Sequence, residues 1–469
     1  MTTTGPIGEA APIAEAALDG WGGYDRDDPF GLFARVRVAG PVHEVTLVDG
    51  HRAFLVLGYA AAREALNHPD LSKDMLAALD ADGDGAVVAE GLPGRGFARH
   101  MLSVDPPDHT RLRRLAAGAF RRARLEALEP RIRDLVQESL DHLEDLADLA
   151  DLADLADLGA GSGPVGSVDL VAGFARPLPF AVIGELLGID RPDQHRLAGW
   201  FATLFAPYAG AQPPAEAVTA SNAIVGYLND LVDARWESPT EDLVGDLVGD
   251  LVRACGAELL TRQELLSTLF QLIVAGHDTT TSLIGNGLAV LLQHPDQRDA
   301  LLADPRQVPR AVEEMLRYDA PVPHATFRYA RRDLTIAGVA IPAGVQVLVN
   351  LAAAGRDPHH NHDHNNDHNT GQKTDQNTGQ NTGQDAFDIH RTRAAHLAFG
   401  HGIHHCLGAP LARLEADIAF TQLLQRFPHM QLAVPPQDLR WGHGDGLVLR
   451  GLTTLPVLLR RSEPQHNPS

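Results

Sequence analysis

The stretch that decides the reading of this chain is HLAFGHGIHHCLGAPLARLEA, from His396 to Ala416. Four histidines and one cysteine, Cys406, lie inside it, and Gly400, Gly402 and Gly408 crowd around them. Three chemistries suit such a stretch. A lone cysteine is commonly a buried free thiol. A zinc ion would take Cys406 with His401 and His405, but the paired C-x-x-C spacing of structural zinc sites is missing. The glycines favour a thiolate that holds a flat cofactor, because the loop must approach the cofactor closely and its N–H groups must point at the sulfur. LGAPLARLEADIAF predicts a helix from about Leu407, which sets the thiolate beside a positive helix N-terminus.

Outward from that stretch, the chain has 469 residues, 44% of them hydrophobic, enough for a sizeable core. No Pro/Gly-rich linker divides it, so residues 1–469 are expected to form one domain. The formal net charge of −22 argues against nonspecific nucleic-acid binding, which needs a basic face. Cys255 and Cys406 allow at most one bridge and fit a reducing compartment. MTTTGPIGEAAPIAEAALDG carries neither a basic n-region nor a long apolar run. The longest apolar segment, LFQLIVAGHDTTTSLIGNGLAVLL, is interrupted by His277, Asp278 and three threonines, which a membrane span rarely tolerates. The expectation is a soluble, cytoplasmic monomer with no nucleic-acid or membrane partner.

Periodicity predicts a mainly α chain with small β-sheets. Short strands are expected in PVHEVTL and HRAFLVLG, with a helix in YAAAREALNHP. Longer helices follow at Arg111–Gly118, Arg124–Leu146, Pro179–Leu187, Ala223–Ala234, Thr261–Gln293 and about Arg306–Tyr318. RDLTIAGVAIPAGVQVLVNLAAA alternates like strands. Two low-complexity insertions stand out. Leucines every three residues in Asp145–Leu158 smear around a helix instead of forming a stripe, which predicts a lengthened, solvated helix end. His360–Gln384 has no apolar residue and is expected to be a disordered surface loop. Two apparent motifs carry little. Asp80–Gly91 opens like a calcium loop, but its closing Glu90 falls one position early. Gly161–Gly166 matches G-x-G-x-x-G without a preceding strand.

FGHGIHHCLG, Phe399–Gly408, resembles the F-G-x-G-x-H-x-C-x-G heme-binding loop of the cytochromes P450, the heme-thiolate monooxygenases. The resemblance spans roughly Asp25 to Leu459 and implies the cytochrome P450 fold, a single triangular-prism heme domain. LIVAGHDTTTSLI, Leu272–Ile284, resembles the family's central helix. There a threonine hydroxyl can bond back four residues to the Ala275 carbonyl and, with Gly276, open the helix locally. Asp278 and Thr279 are then the implied catalytic acid and alcohol that deliver protons to dioxygen. Glu314 and Arg317, in EEMLR, resemble a buried pair that locks the cysteine loop. Ala386 stands where many relatives carry an arginine completing that lock, leaving Arg391 or another residue to substitute. His109 and Arg113 in DPPDHTRLRRL, Arg328 in HATFRYA, and His404 match the partners of the two heme carboxylates.

The resemblance implies heme b, iron protoporphyrin IX with Cys406 as axial thiolate and metal ligand, and O2 as co-substrate. Phe399, Gly400, Ala275 and Gly276 complete the implied cofactor-binding set. NAD(P)H electrons would arrive through a separate ferredoxin and ferredoxin reductase, docking on arginines among Arg111, Arg113, Arg114, Arg121, Arg122 and Arg413. The implied reaction hydroxylates or epoxidises a hydrophobic small molecule, as in macrolide or polyketide tailoring. Ala77–His100, Trp200–Ala217 and Val322–Thr326 are the implied specificity segments, and their small residues suggest a roomy pocket. A hydrogen-peroxide-driven peroxygenase and a non-catalytic heme-binding protein are the alternatives.

Overall fold

The computed structural model describes residues 25, 27–47, 51–74, 97, 99–155, 166–206, 213–238, 247–359, 383–391, 395–442 and 449–459. Its amino-terminal part carries α1 (Phe30–Val38), β1 (Val42–Thr46), β2 (Arg52–Val56), α2 (Tyr59–Asn67) and β3 (Leu71–Ser72). A helical body follows: α3 (Asp108–Ala116), α4 (Arg122–Leu155), β4 (Val168–Asp169), α5 (Pro177–Leu187), α6 (Arg191–Leu204), α7 (Ala215–Glu237), α8 (Leu247–Gly256), α9 (Arg262–Leu292), α10 (Pro295–Ala303) and α11 (Val308–Tyr318). The last third holds β5 (Arg328–Ala330), β6 (Leu334–Ile336), β7 (Val339–Ile341), β8 (Gln346–Val349), α12 (Leu351–Gly355), α13 (Ala409–Arg426), β9 (Gln431–Leu432) and β10 (Pro456–Leu458). The chain is thus mainly α with small sheets.

The largest sheet has the order β1-β2-β8-β5-β3, so it joins three amino-terminal strands to two from the 328–349 region. β2 and β8 run parallel and the other pairs antiparallel. β3 meets β5 in the register Leu71↔Ala330 and Ser72↔Tyr329. The other sheets are β4-β10-β9 and the hairpin β6-β7.

α9 is the axis of the helical body. Thr261 caps it: its hydroxyl accepts from the Glu264 N–H at 3.2 Å, and the Glu264 carboxylate accepts from the Thr261 N–H at 3.0 Å. The helix packs against α5, α7, α8, α11 and α13. Its apolar residues on several sides, Leu265, Leu269, Ile273, Ile284, Leu288 and Leu291, are all buried, as expected of a helix enclosed by others.

α4 continues through the leucine repeat to Leu155, and Leu149 in that repeat is 63% exposed, as expected of the lengthened, solvated helix end. Asp–Leu–Ala triplets contain good helix formers, so propensity sustains the turns where packing does not. Other boundaries differ from the sequence expectations: α3 spans Asp108–Ala116 and α7 spans Ala215–Glu237. α6 and α8 are helices that the sequence reading did not set out. Residues 360–382, the calcium-like stretch and most of 161–166 lie outside the described residues. No described helix is long and apolar enough to cross a membrane.

The Glu314–Arg317 pair is buried, each side chain 1% exposed, with contacts at 2.7 and 2.8 Å. Arg391 completes the lock, donating to both Glu314 oxygens at 3.2 and 3.1 Å. Thus an arginine five residues beyond Ala386 does what the missing one would have done. Glu314→Ala is expected to cost ~3–5 kcal/mol, because it strands a buried guanidinium. Removing Glu44 from its exposed pair with Arg52 should cost less than ~1 kcal/mol. Denaturant titration of both variants checks this, and equal losses would contradict it.

Candidate functional site

The cysteine loop is held from both sides. The Cys406 N–H donates to the Phe399 carbonyl at 2.8 Å, closing the turn that contains the glycines. Gly400 and Gly402 have φ of +71° and +76°, a conformation that side chains disfavour. Gly402 is doubly constrained, since a Cβ there would lie 2.4 Å from Asn67 Oδ1 at the end of α2. Its glycine therefore answers a protein–protein approach and not only the needs of a ligand. Gly408 has an ordinary backbone, and a Cβ there would stand 4.0 Å from the Cys406 sulfur.

Cys406 is accessible yet set among protein atoms. Burial pushes its thiol up; the N–H groups of Gly408 and Ala409, then Arg113 and Arg413, pull the other way. Ala409 opens α13, so the sulfur does sit at a helix N-terminus. Among the described residues, no three or more His, Cys, Asp or Glu side chains converge as a metal-binding group. His401 and His405 therefore do not join Cys406 in a zinc-type cluster, and both cysteines are free.

Glu313 anchors the loop to the core. It accepts from Arg413 at 2.6 and 3.0 Å and meets His396 at 3.1 Å. Arg413 also lies over the Phe399 ring, 4.4 Å from its centre. Arg113 reaches the same loop, donating to the His405 carbonyl at 2.6 Å. It therefore stands by the cysteine backbone, while its helical neighbour His109 points into a different cluster.

That cluster is basic and buried. Lys73, His109 and Arg328 are each at most 5% exposed. The rings of His109 and His404 lie 4.3 Å apart. Neither His109 nitrogen makes a hydrogen bond of normal geometry, although the Ile403 carbonyl lies close enough to favour protonation; His404 Nε2 is likewise unpartnered. Burial, then the charges of Lys73, His109 and Arg328, pushes His404 down to about 3. Burial and Lys73 bring His100 to about 4, and burial lowers Arg328 to about 10. These shifts share a cause: positive charge is concentrated where little water and few anions reach it. Sequence reading found His109, Arg328 and His404 but missed Lys73 and His100. Nothing in LSKD or ARHM marks them, since only tertiary packing buries them.

The central helix behaves partly as expected. The Thr279 hydroxyl donates to the Ala275 carbonyl at 2.6 Å. α9 nevertheless runs unbroken from Arg262 to Leu292. The bond is an addition to the helical ladder and does not open it. What distinguishes the stretch is access: Ala275 is exposed in mid-helix, between turns that are buried. A Cβ on Gly276 would come within 3.1 Å of Ile183 on α5. Asp278 Oδ1 lies 3.2 Å from His277 Nδ1, and His277 Nε2 lies 3.1 Å from the Arg176 carbonyl.

Aromatic rings form a row beside this stretch. Phe97 stacks on Phe270 at 4.4 Å, Phe270 meets Phe201 at 5.5 Å, and Phe201 stacks on Phe205 at 6.2 Å. The described parts of the expected specificity segments are thus aromatic as well as small. Of the arginines expected to form a docking face, Arg111 is paired with Glu264, Arg122 with Glu126 and Arg413 with Glu313. Arg114 and Arg121 remain exposed, without an ion pair among the described residues.

The family model "Cytochrome P450" matches residues 220–450. The chain is 40% identical to the cytochrome P450 monooxygenase PikC of Streptomyces venezuelae over 92% of both chains. It is 36% identical to the mycinamicin IV hydroxylase/epoxidase of Micromonospora griseorubida, over 91% of this chain and 95% of that one. The tirandamycin C-bound P450 monooxygenase TamI superposes with a TM-score of 0.73 at 38% identity, over 92% of this chain and 98% of that one.

The Glu313 anchor sets a pH dependence. Burial opposes ionisation, but hydrogen bonds from His396 and Arg413 outweigh it and bring the carboxyl from 4.5 to about 2. The folded group stays ionised where the unfolded one takes a proton. Its stabilisation is complete above about pH 4.5 and is lost as pH falls towards 2. Glu313→Gln should therefore lower stability at neutral pH and flatten the acid limb between those values. Melting temperatures across pH 2–6 test this, and parallel curves for the two proteins would contradict it.

Proposed function

This chain belongs to the cytochrome P450 family and is a monooxygenase, and on that premise we propose that the Cys406 thiolate would hold the iron of heme b. The carrying observation is the pairing of two complementary features. One is an accessible thiol facing the N–H groups of Gly408 and Ala409. The other is a buried basic cluster in which both His109 nitrogens and His404 Nε2 lack hydrogen-bond partners of normal geometry. A flat ligand with two carboxylates suits both. His109, Arg328 and His404 would hold the carboxylates, and Arg113 would steady the loop through the His405 carbonyl. Phe399 and Gly400 would shape the loop that holds the heme, and Ala275 and Gly276 would offer it small surfaces. When bound, heme with a thiolate ligand activates O2 for insertion of one oxygen atom into substrate.

The protein's own part is proton placement and exclusion of water. The Thr279 hydroxyl spends its hydrogen on Ala275, so its lone pairs are free to take a proton. Asp278, one residue before, is the acid that supplies it. Phe97, Phe270 and Phe201 furnish an apolar wall for the substrate. We assign that substrate to the hydrophobic macrolide or polyketide class, hydroxylated or epoxidised; a mycinamicin IV hydroxylase/epoxidase and a tirandamycin C-bound enzyme are among the relatives. Electrons come from NAD(P)H through a ferredoxin and its reductase, with Arg114 and Arg121 on the docking face. A peroxide-driven peroxygenase or a turnover-free heme protein would have no use for the Asp278–Thr279 pair. Turnover with ferredoxin, reductase and NAD(P)H, set against peroxide alone, separates these readings.

Cys406→Ser should abolish the red-shifted Soret band of the reduced carbon monoxide complex, and Cys255→Ser should keep it. The reverse result would remove Cys406 as ligand. Thr279→Ala should still consume O2 and NAD(P)H but release hydrogen peroxide in place of product. Asp278→Asn should slow turnover about tenfold, which is ~1.4 kcal/mol of barrier. Thr280→Ala is the control, since Thr280 is buried at 4% exposure and points elsewhere. Full coupling in Thr279→Ala would take Thr279 out of the mechanism.

A further inference from the structure

His277 and Asp278 are neighbours in α9, and neighbours on a helix point about 100° apart and do not face each other. Their side chains nevertheless converge. Asp278 Oδ1 lies 3.2 Å from His277 Nδ1, and the two side chains are only 12% and 19% exposed, the histidine the less. Two contacts hold the imidazole against the start of α5. Its Nε2 lies 3.1 Å from the carbonyl of Arg176, the residue before α5 begins. The Phe180 ring stands edge-on to it, 5.1 Å away between centres.

The Arg176 carbonyl decides where the hydrogens are. A carbonyl oxygen can only accept, so Nε2 carries a hydrogen and donates it. In a neutral ring Nδ1 is then a bare lone pair. A lone pair 3.2 Å from an ionised carboxylate sets two acceptors against each other with nothing between them. A single proton in that gap turns the clash into an attraction, whether it rests on Nδ1 or on the carboxyl. With that proton the pair has no net charge, which suits side chains so far out of water.

We propose that His277 holds one proton jointly with Asp278 and is the positioning residue that keeps this acid loaded for Thr279. This rests on the proton-supply reading of Asp278 above and adds a residue to it. When the carboxyl O–H bond breaks, the proton passes to the Thr279 oxygen and the electron pair stays on the carboxylate beside Nδ1. Thr279 in turn gives its own hydrogen to the O2 being reduced, so no charge accumulates at the hydroxyl. Solvent water then returns a proton to the pair, which the partial exposure of both side chains permits. The bond to Arg176 fixes the tautomer throughout, so the basic nitrogen always faces the acid.

The test has two readouts on the holoprotein. The first is nitrogen NMR of isotopically labelled histidine rings in the diamagnetic reduced carbon monoxide form, with the His277 resonances assigned by their disappearance in His277→Gln. Nε2 should be of the protonated type, and Nδ1 should be displaced from the bare lone-pair position towards it. In Asp278→Asn the Nδ1 resonance should move back. The second is O2-dependent NAD(P)H oxidation through a plant-type ferredoxin and its reductase. His277→Gln keeps a donor for the Arg176 carbonyl but sets no basic nitrogen beside Asp278, so a merely structural role predicts no effect. It should instead slow oxidation about tenfold, as Asp278→Asn does, and the double variant should be no slower than either. His277→Asn replaces the glutamine variant if the latter does not fold. A bare lone-pair Nδ1 in the wild type would overturn the proposal. So would a silent His277→Gln beside a slowed Asp278→Asn, or losses that multiply in the double variant. Undiminished oxidation in Asp278→Asn, with Nδ1 displaced in the wild type, would overturn the proton-supply reading itself and leave the shared proton standing.

Discussion

The cysteine loop depends on one buried guanidinium. Arg317 has five N–H donors, and all five are used: two by the Glu314 carboxylate and one each by the carbonyls of Gly355, Gln384 and Ala386. A buried charge is tolerated when it is paired and every donor is satisfied. Satisfying Arg317 brings α11, the end of α12 and the 383–391 segment to one point. Gly355 is part of the arrangement, since a Cβ there would fall 2.9 Å from the Arg317 carbonyl. The next carboxylate along α11, Glu313, reaches Arg413 on α13 and His396 beside the cysteine loop. Two adjacent acids on one helix thus fix the segment that leads to the loop and the loop itself.

The charges around the site form two unfinished halves. At the sulfur, burial resists ionisation, while two backbone N–H groups and two arginines favour it. In the basic cluster, Lys73, Arg328 and the histidines oppose one another's protonation. Each half is costly alone and compatible with the other through a ligand that brings positive charge to the thiolate and negative charge to the cations. Stability withheld from the protein in this way becomes binding energy for the group that completes it.

Local features were the most legible in the sequence. The glycine-bracketed cysteine, the helix behind it and the back-bonded threonine are consequences of short spacings, and Thr279 meets Ala275 as the i,i−4 rule requires. The mainly α pattern with small sheets was also readable, because α11 carries strong apolar periodicity and α9 is a long, largely apolar run that no Pro interrupts. What the sequence left open or hid depends on distant segments meeting. Arg391, one candidate that the sequence offered, reaches Glu314 from 77 residues away, and no spacing rule selects it over its neighbours. Lys73 sits in a short polar run that looks like surface until β3 pairs with β5. The local break expected in α9 failed for a related reason: neighbouring helices hold the backbone helical where Thr279 and Gly276 alone would loosen it.

That last failure bears on how the mid-helix works. If the helix were broken, Thr279 would be positioned by a flexible backbone. Instead α9 is clamped through buried turns on both sides of an accessible stretch that includes Ala275. Gly276 allows α5 to lie against the helix, with Ile183 at the closest approach. The Thr279 hydroxyl is then oriented by its own bond and by the stiffness of a β-branched side chain. At rest it accepts and does not donate outward. Under the proton-delivery role proposed for Thr279, a proton arriving at its oxygen would free the hydrogen now held by Ala275, and the rigidity of α9 would let one hydroxyl both accept and deliver.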